Sequence, residues 1–490
     1  MENKKPRIGK YILDSLSIGM YNHPLMLIRE YIQNSTDAID ELKRTEAANT
    51  NRTKINIYLD GKEKKLIIKD NGIGISVEKA KEILHDIGKS NKKLTQNRGF
   101  RGIGRLGGLG YCKFLKFTTK AKGENYTSTS TWDCDSLRDI IRKDNNIETA
   151  EIIQEITKFT QNRYDGDPKD HFFIVEMINL QSSRDVLLNV PIVRSYVAEV
   201  APVPFNSNIF SYANQIEVSL AENVPKYNTY NIFINNEKIH KPYQDTIIVR
   251  GDKKERIKGI DFFKIENLFS KLGFCWIART DLSGSINNKC LMDGIRVRCG
   301  NMLIGNNYLL DEFFREKRFN RYLLGELHVI HNKLIPNSRR DDFEDNEVRE
   351  NFYDSFIKTI GLPFSKKIRE ASIERTKNRQ LTIEKNLHEN SSYMIKNGYF
   401  SESYKGQLIN EIDKLKKNNN NKDKKEDFDN LLYKLRNTKN FFEVQNNNMS
   451  NKTKILLRSL YTILSKESLD IEKKERIMRT TVEILHNNLF

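Results

Sequence analysis

The stretch Leu25-Met26-Leu27-Ile28-Arg29-Glu30-Tyr31-Ile32-Gln33-Asn34-Ser35-Thr36-Asp37-Ala38-Ile39-Asp40 sets the fold. Leu25, Ile28, Ile32 and Ile39 fall on one stripe of a helix with 3.6 residues per turn. Glu30, Asn34 and Asp37, spaced i, i+4, i+7, form a second stripe roughly opposite. For an isolated amphipathic helix, such a stripe reads as a solvated polar face. Two stretches further on change that reading. One is the turn Asp70-Asn71-Gly72-Ile73-Gly74-Ile75, and the other is the glycine-dense run from Gly99 to Gly110.

Outward from the helix, 8–20 reads as a short helix or strap. Lys54 to Asp60 alternates like a strand, Asp60-Gly61 turns, and Leu66 to Lys69 returns as the second strand of a hairpin ending in the Asp70 turn. Val77 to Ile87 is helical in pattern, and 88–101 is polar, glycine-bounded and lid-like in composition. A further helix is expected to open near Gly102. Strands are expected at Lys113–Lys120, Tyr126–Trp132 and Phe172–Leu180, which together imply an α/β sandwich with a mixed, largely antiparallel sheet. A second domain is expected to begin between Pro204 and Ser211. Its strands would include Gln215–Leu220, Tyr230–Asn235, Phe274–Ala278, Gly294–Cys299 and Gly325–Ile330. From Asp342 the pattern is helical, interrupted by a Lys/Asn run, Lys416–Glu426, that reads as an exposed loop. The expected class is α+β, with domains at 1–208, 209–345 and 346–490.

The chain has 490 residues and 38% apolar content, with 25 Phe and 20 Tyr, so it can bury several cores. Its net charge of +17 favours an acidic partner, although lysines spread along the chain and mixed with Asn can equally reflect overall composition. No window is apolar enough to span a membrane, and Met1-Glu2-Asn3-Lys4-Lys5-Pro6 lacks the apolar core of a secretory signal. Five cysteines with no C-x-x-C spacing argue against a disulfide framework or zinc site and suit a reducing cytoplasm.

Two glycine patterns are decoys. Gly88-Lys89-Ser90 ends like a phosphate-binding P-loop, but Ile83 stands where that loop needs glycine. Gly102-Ile103-Gly104-Arg105-Leu106-Gly107 fits a dinucleotide fingerprint, but it follows a polar loop instead of a strand. What the glycines do permit is close approach of backbone amides to a ligand at a helix start, where phosphate is favoured.

Taken together, Glu30-x-x-x-Asn34-x-x-Asp37, Asp70-Asn71-Gly72-Ile73-Gly74 and Gly99-Phe100-Arg101-Gly102-Ile103-Gly104 resemble the three ordered motifs of the Bergerat-fold ATPases of the GHKL superfamily: gyrase, heat shock protein 90, histidine kinases and MutL. The resemblance covers about 8–345, and it implies ATP and Mg2+ as ligands. On it, Glu30 is the general base that positions and deprotonates water. The alternative for Glu30 is an ion pair with Arg29 or Arg101. Asn34 binds Mg2+ through its oxygen, and Asp37 supports the site. Asp70 accepts from the adenine amine beside Gly72, and Gly74 admits the base; its alternative is an ordinary turn glycine. Gly102, Ile103 and Gly104 cradle phosphate. Lys89 and Ser90 lie in the lid, with Lys89 reaching phosphate or standing as a solvated loop lysine.

Pro336-Asn337-Ser338-Arg339 resembles the arginine loop of the heat shock protein 90 middle domain. That implies a catalytic Arg339, with Arg340 as runner-up, stabilising charge at the γ-phosphate. The alternative is pairing of both arginines with Asp341 and Asp342. One departure stands out: the family often opens its late strand with Gly-Thr, and here the stretch is His171-Phe172-Phe173-Ile174-Val175-Glu176.

The resemblance implies a cytoplasmic, nucleotide-dependent conformational switch that forms a homodimer through its N-terminal part and serves a protein client or dedicated partner. A two-component kinase would need a phosphoacceptor histidine on a preceding helical hairpin, and only 22 residues precede His23. A nucleic-acid-handling ATPase like MutL or MORC is the alternative suggested by the charge.

Overall fold

Helix α1 (Met26–Thr45) lies against an eight-stranded sheet and is buried around most of its girth. The computed structural model describes residues 9–15, 23–45, 53–87, 104–143, 147–181, 186–225, 227–419, 421–444 and 449–487. The chain divides into two compact units, Met1–Ala371 and Ser372–Phe490.

The apolar stripe of α1 does what its period requires. Leu25, Ile28, Ile32 and Ile39 are buried with Ile55, Ile57, Leu66, Ile68, Leu115 and Phe117 of the sheet. Each such side chain contributes about 1.5–3 kcal/mol by leaving water. The sheet comprises β1 (Lys54–Asp60), β2 (Lys65–Asp70), β3 (Cys112–Lys120), β4 (Tyr126–Asp133), β5 (Thr157–Arg163), β6 (Phe172–Leu180), β7 (Asn231–Ile234) and β8 (Glu237–Lys238). Their order is β5-β4-β3-β6-β2-β1-β7-β8, antiparallel except for the β1–β7 pair. Alternation in β1, with Ile55, Ile57 and Leu59 buried, turns one face of the strand to the core. Helices α2 (Val77–His85), α3 (Cys134–Arg142), α4 (Thr149–Ile156), α5 (Val190–Val200) and α6 (Ala213–Asn223) follow.

Four local expectations are corrected. Residues 215–220 are helical, within α6. Ile216, Val218 and Leu220 alternate like a strand, but Val218 is 59% exposed while its two neighbours are fully buried, which is the helical period. Strand β7, expected in the second domain, pairs with β1 in the first sheet, Ile55 opposite Ile232 and Ile57 opposite Ile234. The helix expected near Gly102 is, over its described part, a 3-10 turn, Gly104–Gly110. The Lys/Asn run is mostly helix, ending one at Asn418 and starting the next at Lys422, where the Asn421 side chain caps Asp423 N at 2.9 Å.

The remaining strands are a two-stranded ribbon, β9 (Thr246–Val249) with β10 (Lys253–Arg256), and a second sheet. That sheet contains β11 (Gly259–Glu266), β12 (Lys271–Arg279), β13 (Gly294–Cys299), β14 (Met302–Ile304) and β15 (Leu324–Val329), ordered β11-β12-β15-β13-β14. Both its faces are covered. Cys275 and Ile277 of β12 join one core with Phe352 and Phe356 of α7 (Glu347–Phe356), while Phe274, Trp276 and Ala278 join another with Phe205, Phe210 and Tyr243. This explains the unbroken buried run along β12. From Glu347 to Asn487 the named elements are all helical, which completes the α+β class.

The second sheet carries a buried polar seam. The Glu326 carboxylate accepts from Lys241 at 3.0 Å, Tyr243 at 3.0 Å, Arg298 at 2.5 Å and His328 at 3.1 Å, with Glu326, Arg298 and His328 fully buried. Arg296 Nη2 donates to Glu199 Oε1 at 2.9 Å and Arg298 Nη2 to the Glu199 carbonyl at 2.8 Å, fastening β13 to α5. Burial opposes ionisation of Glu326, yet Arg298 and Lys241 hold its carboxyl well below the usual range. Burial pushes the His328 imidazole down to about 4, against the pull of Glu326.

Glu326→Ala leaves Arg298 and Lys241 buried without their counter-charge. Chemical denaturation is expected to show a loss of about 3–5 kcal/mol. The unfolded chain binds more protons than the folded one between the folded His328 value of about 4 and its ordinary 6.5. Stability therefore falls as pH falls through that window, and Glu326 adds to the loss further into acid. His328→Leu should flatten the fall in melting temperature between about pH 6.5 and 4.

Candidate functional site

The polar stripe of α1 is not a solvated face. Glu30 is 9% exposed and Asp37 2%, and Asn34 is half-buried between them. Two clusters form around it, on residues five apart along the helix.

The first centres on Asp70, at the end of β2 and 2% exposed. Its Oδ2 accepts from Ser35 Oγ at 2.7 Å and its Oδ1 from Gly72 N at 2.9 Å. The turn after Asp70 sits directly on α1: Ile73 N donates to Ala38 O at 3.2 Å, and a Cβ on Gly72 would lie 2.7 Å from Ala38 Cβ. Gly74 has φ +70°, and a Cβ there would meet Lys120 O at 2.1 Å, so this position requires glycine on two counts. His171 Nδ1 lies 2.7 Å from the Gly72 carbonyl, so Nδ1 carries the proton in this arrangement.

Asp70, Phe173 and Thr119 are directly paired across β2, β6 and β3. Directly opposed residues point to one side. A threonine, Thr119, thus stands opposite Phe173 on the adjacent strand. Thr119 Oγ1 accepts from Ile75 N at 2.9 Å and donates to Phe172 O at 3.2 Å.

The second cluster centres on Glu30. A Cβ on Gly104 would lie 2.8 Å from Glu30 Oε2, so the carboxylate and the glycine turn touch. Glu30 Oε1 is 2.7 Å from Arg340 Nε and 4.0 Å from Arg29 Nε. The partner across the site is therefore Arg340, the runner-up, together with the expected Arg29. The side chain of Arg339 is 59% exposed and lies 3.4 Å from Asp341. Asp342 pairs with Arg349, not with Arg340.

The loop is shaped to turn one of its two arginines inward. Pro336 bridges Phe343, Asn337 N donates to Asp342 O at 2.9 Å, and Arg340 N donates to Asn337 O at 3.1 Å. Arg340 itself takes φ +57°, a left-handed conformation that costs a non-glycine residue about 1 kcal/mol or more. Its carbonyl accepts from Gly305 N at 2.8 Å, and the Arg339 carbonyl accepts from Arg29 Nη2 at 3.1 Å. The sequence favours Arg339 with Arg340 as runner-up, whereas it is Arg340 that turns inward to Glu30.

Lys89, Ser90, Gly102 and Ile103, with Gly99, Phe100 and Arg101, lie outside the described residues. Among the described residues no group of three His, Cys, Asp or Glu could hold a metal ion. An ion at Asn34 would therefore complete its shell with phosphate oxygens and water, as Mg2+ commonly does. No described helix is long and apolar enough to cross a membrane.

With this geometry in place, the chain can be compared with known proteins. Residues 23–164 match the family model described as "Histidine kinase-, DNA gyrase B-, and HSP90-like ATPase". This segment is a GHKL-type domain, and its similarity is to heat shock protein 90-like members. Chaperone protein HtpG of Fusobacterium nucleatum is 29% identical over 181 residues, covering 33% of this chain and 29% of that protein. HtpG of Rickettsia typhi is 29% identical over 180 residues, covering 32% and 28%. HtpG of Helicobacter hepaticus is 34% identical over 88 residues, covering 17% and 14%. The matched stretch thus spans less than a third of the length of these relatives.

Gly74→Ala places a methyl group against the Lys120 carbonyl in a left-handed backbone. It should lower stability by about 2 kcal/mol or more in chemical denaturation. Gly61→Ala, where nothing lies within 4 Å of the added carbon, is the matched control and should shift the curve by less than about 0.5 kcal/mol.

Proposed function

We propose that the chain binds ATP with Mg2+, hydrolyses it, and uses the nucleotide as a conformational switch. The observation that carries this reading is the convergence of two buried carboxylates on one helix. Asp70 joins α1 at Ser35, and Glu30 faces Gly104 and Arg340. Their contact points on α1, Glu30 and Ser35, are five residues and about 7–8 Å apart along the axis.

Asp70 accepts from the exocyclic amine of the base. Gly72 and Gly74 keep side chains away from it, and Asp37 supports the site from the same helix. Gly102, Ile103 and Gly104 offer amides to the phosphates, while Lys89 and Ser90 belong to the segment that closes over them. Asn34 offers its side-chain oxygen to Mg2+, which when bound neutralises phosphate charge. Glu30 orients a water and takes its proton. Arg340, not Arg339, stabilises charge at the terminal phosphate, because it is the arginine held within reach of Glu30.

The ion pair also suggests how the switch works. Arg340 occupies the Glu30 oxygen that a general base must keep available. A terminal phosphate is a second anion for Arg340, and transfer of the guanidinium to it frees Glu30. Because Arg340 follows β15, the same transfer moves the second sheet. ATP would thereby close the lid and associate the N-terminal parts of two copies, acting on a protein client as the name of the HtpG relatives suggests. The charge of +17 leaves a nucleic-acid partner as the alternative.

Glu30→Ala should retain ATP binding and lose turnover, and Asp70→Asn should lose binding. Arg340→Ala should cut turnover by on the order of a thousandfold. Arg339→Ala, which keeps its backbone contact to Arg29, should cost far less. Phosphate release and nucleotide titration read these outcomes. Wild-type hydrolysis by Glu30→Ala would sink the assignment.

A further inference from the structure

We infer that Tyr31 is a positioning residue for this reaction: its phenol fixes the glycine turn that faces Glu30. This rests on the ATPase reading above and adds to it a residue that no motif contains. Tyr31 follows Glu30 on α1 and is 2% exposed. Its hydroxyl donates to the Arg105 carbonyl at 3.0 Å and accepts from Gly108 N at 3.1 Å. One oxygen thus spans the interior of the Gly104–Gly110 turn, satisfying an acceptor near its start and a donor near its end. The fit is close: a Cβ on Gly108 would lie 2.6 Å from that oxygen.

Gly108 is also held from its carbonyl side, which accepts from Tyr111 N at 3.0 Å and from the Cys112 thiol at 3.3 Å. The rear of the turn is therefore anchored to Tyr111 and to Cys112, the first residue of β3, and the phenol ties the turn to α1 at Arg105 and Gly108. Consecutive residues of one helix turn meet it in different ways. Glu30 touches Gly104, where phosphate is to be cradled, and Tyr31 sets the turn's distance from the helix. A 3-10 turn has weaker internal hydrogen bonds than an α-helix, and a seven-residue run is long for one, so an external tie has real effect. A phenylalanine would fill the same space but leave the Arg105 carbonyl and the Gly108 amide without this partner in a buried place. The turn would then settle elsewhere relative to Glu30, and misplacement of that order slows a reaction that depends on alignment.

The test is Tyr31→Phe in the full chain. We expect kcat for ATP to fall about tenfold or more while ADP affinity stays within about twofold of wild type, with faster amide exchange at Gly108. A purely structural phenol would lower the melting temperature and leave kcat unchanged well below the transition, and that result overturns the inference. Gly108→Ala reaches the same contact from the other side. If Tyr31→Phe does not fold, a folded Gly108→Ala chain must show the kcat loss; undiminished kcat there overturns the inference equally. Absence of ATP turnover in the wild-type chain overturns the ATPase reading, and this inference with it. Wild-type turnover with an unimpaired variant removes this inference alone.

Discussion

A helix that buries charge on nearly every side must have its partners brought to it, and this requirement governs the first unit. Helix α1 carries Arg29, Glu30, Gln33 and Asp37 at 9% exposure or less. Unpaired, such groups would cost several kcal/mol each. The surrounding elements answer much of that demand, although both amide atoms of Gln33 are buried without a hydrogen-bond partner among the described residues. The end of β2 supplies Asp70 to Ser35, the loop after β15 supplies Arg340 to Glu30, and the glycine turn packs where side chains would collide with a carboxylate. The glycines are thus the counterpart of a crowded polar helix. They allow backbone to come as near to α1 as side chains otherwise would.

The same principle operates at the seam of the second sheet with a different result. Glu326 is enclosed by Lys241, Tyr243, Arg298 and His328, so its acceptor capacity is spent within the protein. Asp70 is as buried, and its oxygens accept from Ser35 Oγ and Gly72 N, both beside α1. Two buried carboxylates of similar exposure therefore differ in kind. One fastens strands together, and the other faces a turn whose glycines keep space clear.

Much of this was legible in the residues. The period of α1, the hairpin into Asp70 and the alternation of β1 are local signals, and they reappear as drawn. The motif positions Glu30, Asn34, Asp37, Asp70, Gly72, Gly74 and Gly104 come together around one helix, although Lys89, Ser90, Gly102 and Ile103 lie outside the described residues. What escaped was non-local or handed. Val218 mimicked a strand because a three-point alternation cannot separate periods of 2 and 3.6. Ser35 and Thr119 gave no signal, since a hydroxyl gains its role only from the partner that folding delivers. Arg340 faces Glu30 where the sequence favoured Arg339, a difference that no local pattern announces. Tyr31 looked like one more aromatic at a helix position, and the Arg105 carbonyl and Gly108 amide above it distinguish it from core packing.

The parallel pairing of β7 with β1 bears on how the protein can be taken apart. After β6 the chain leaves the first sheet, passes through α5 and α6, and returns to cover the β1 edge. A recombinant fragment ending at 208, where the sequence suggests a domain boundary, would strip that edge. It would expose the backbone of Lys54 to Ile57 to solvent and to other chains, an open template for intermolecular strand addition. A fragment carried past Lys238 keeps the edge closed, though it still severs Glu199 from Arg296 and Arg298. Both contacts lie within the first compact unit, Met1–Ala371, so the two sheets belong in one fragment.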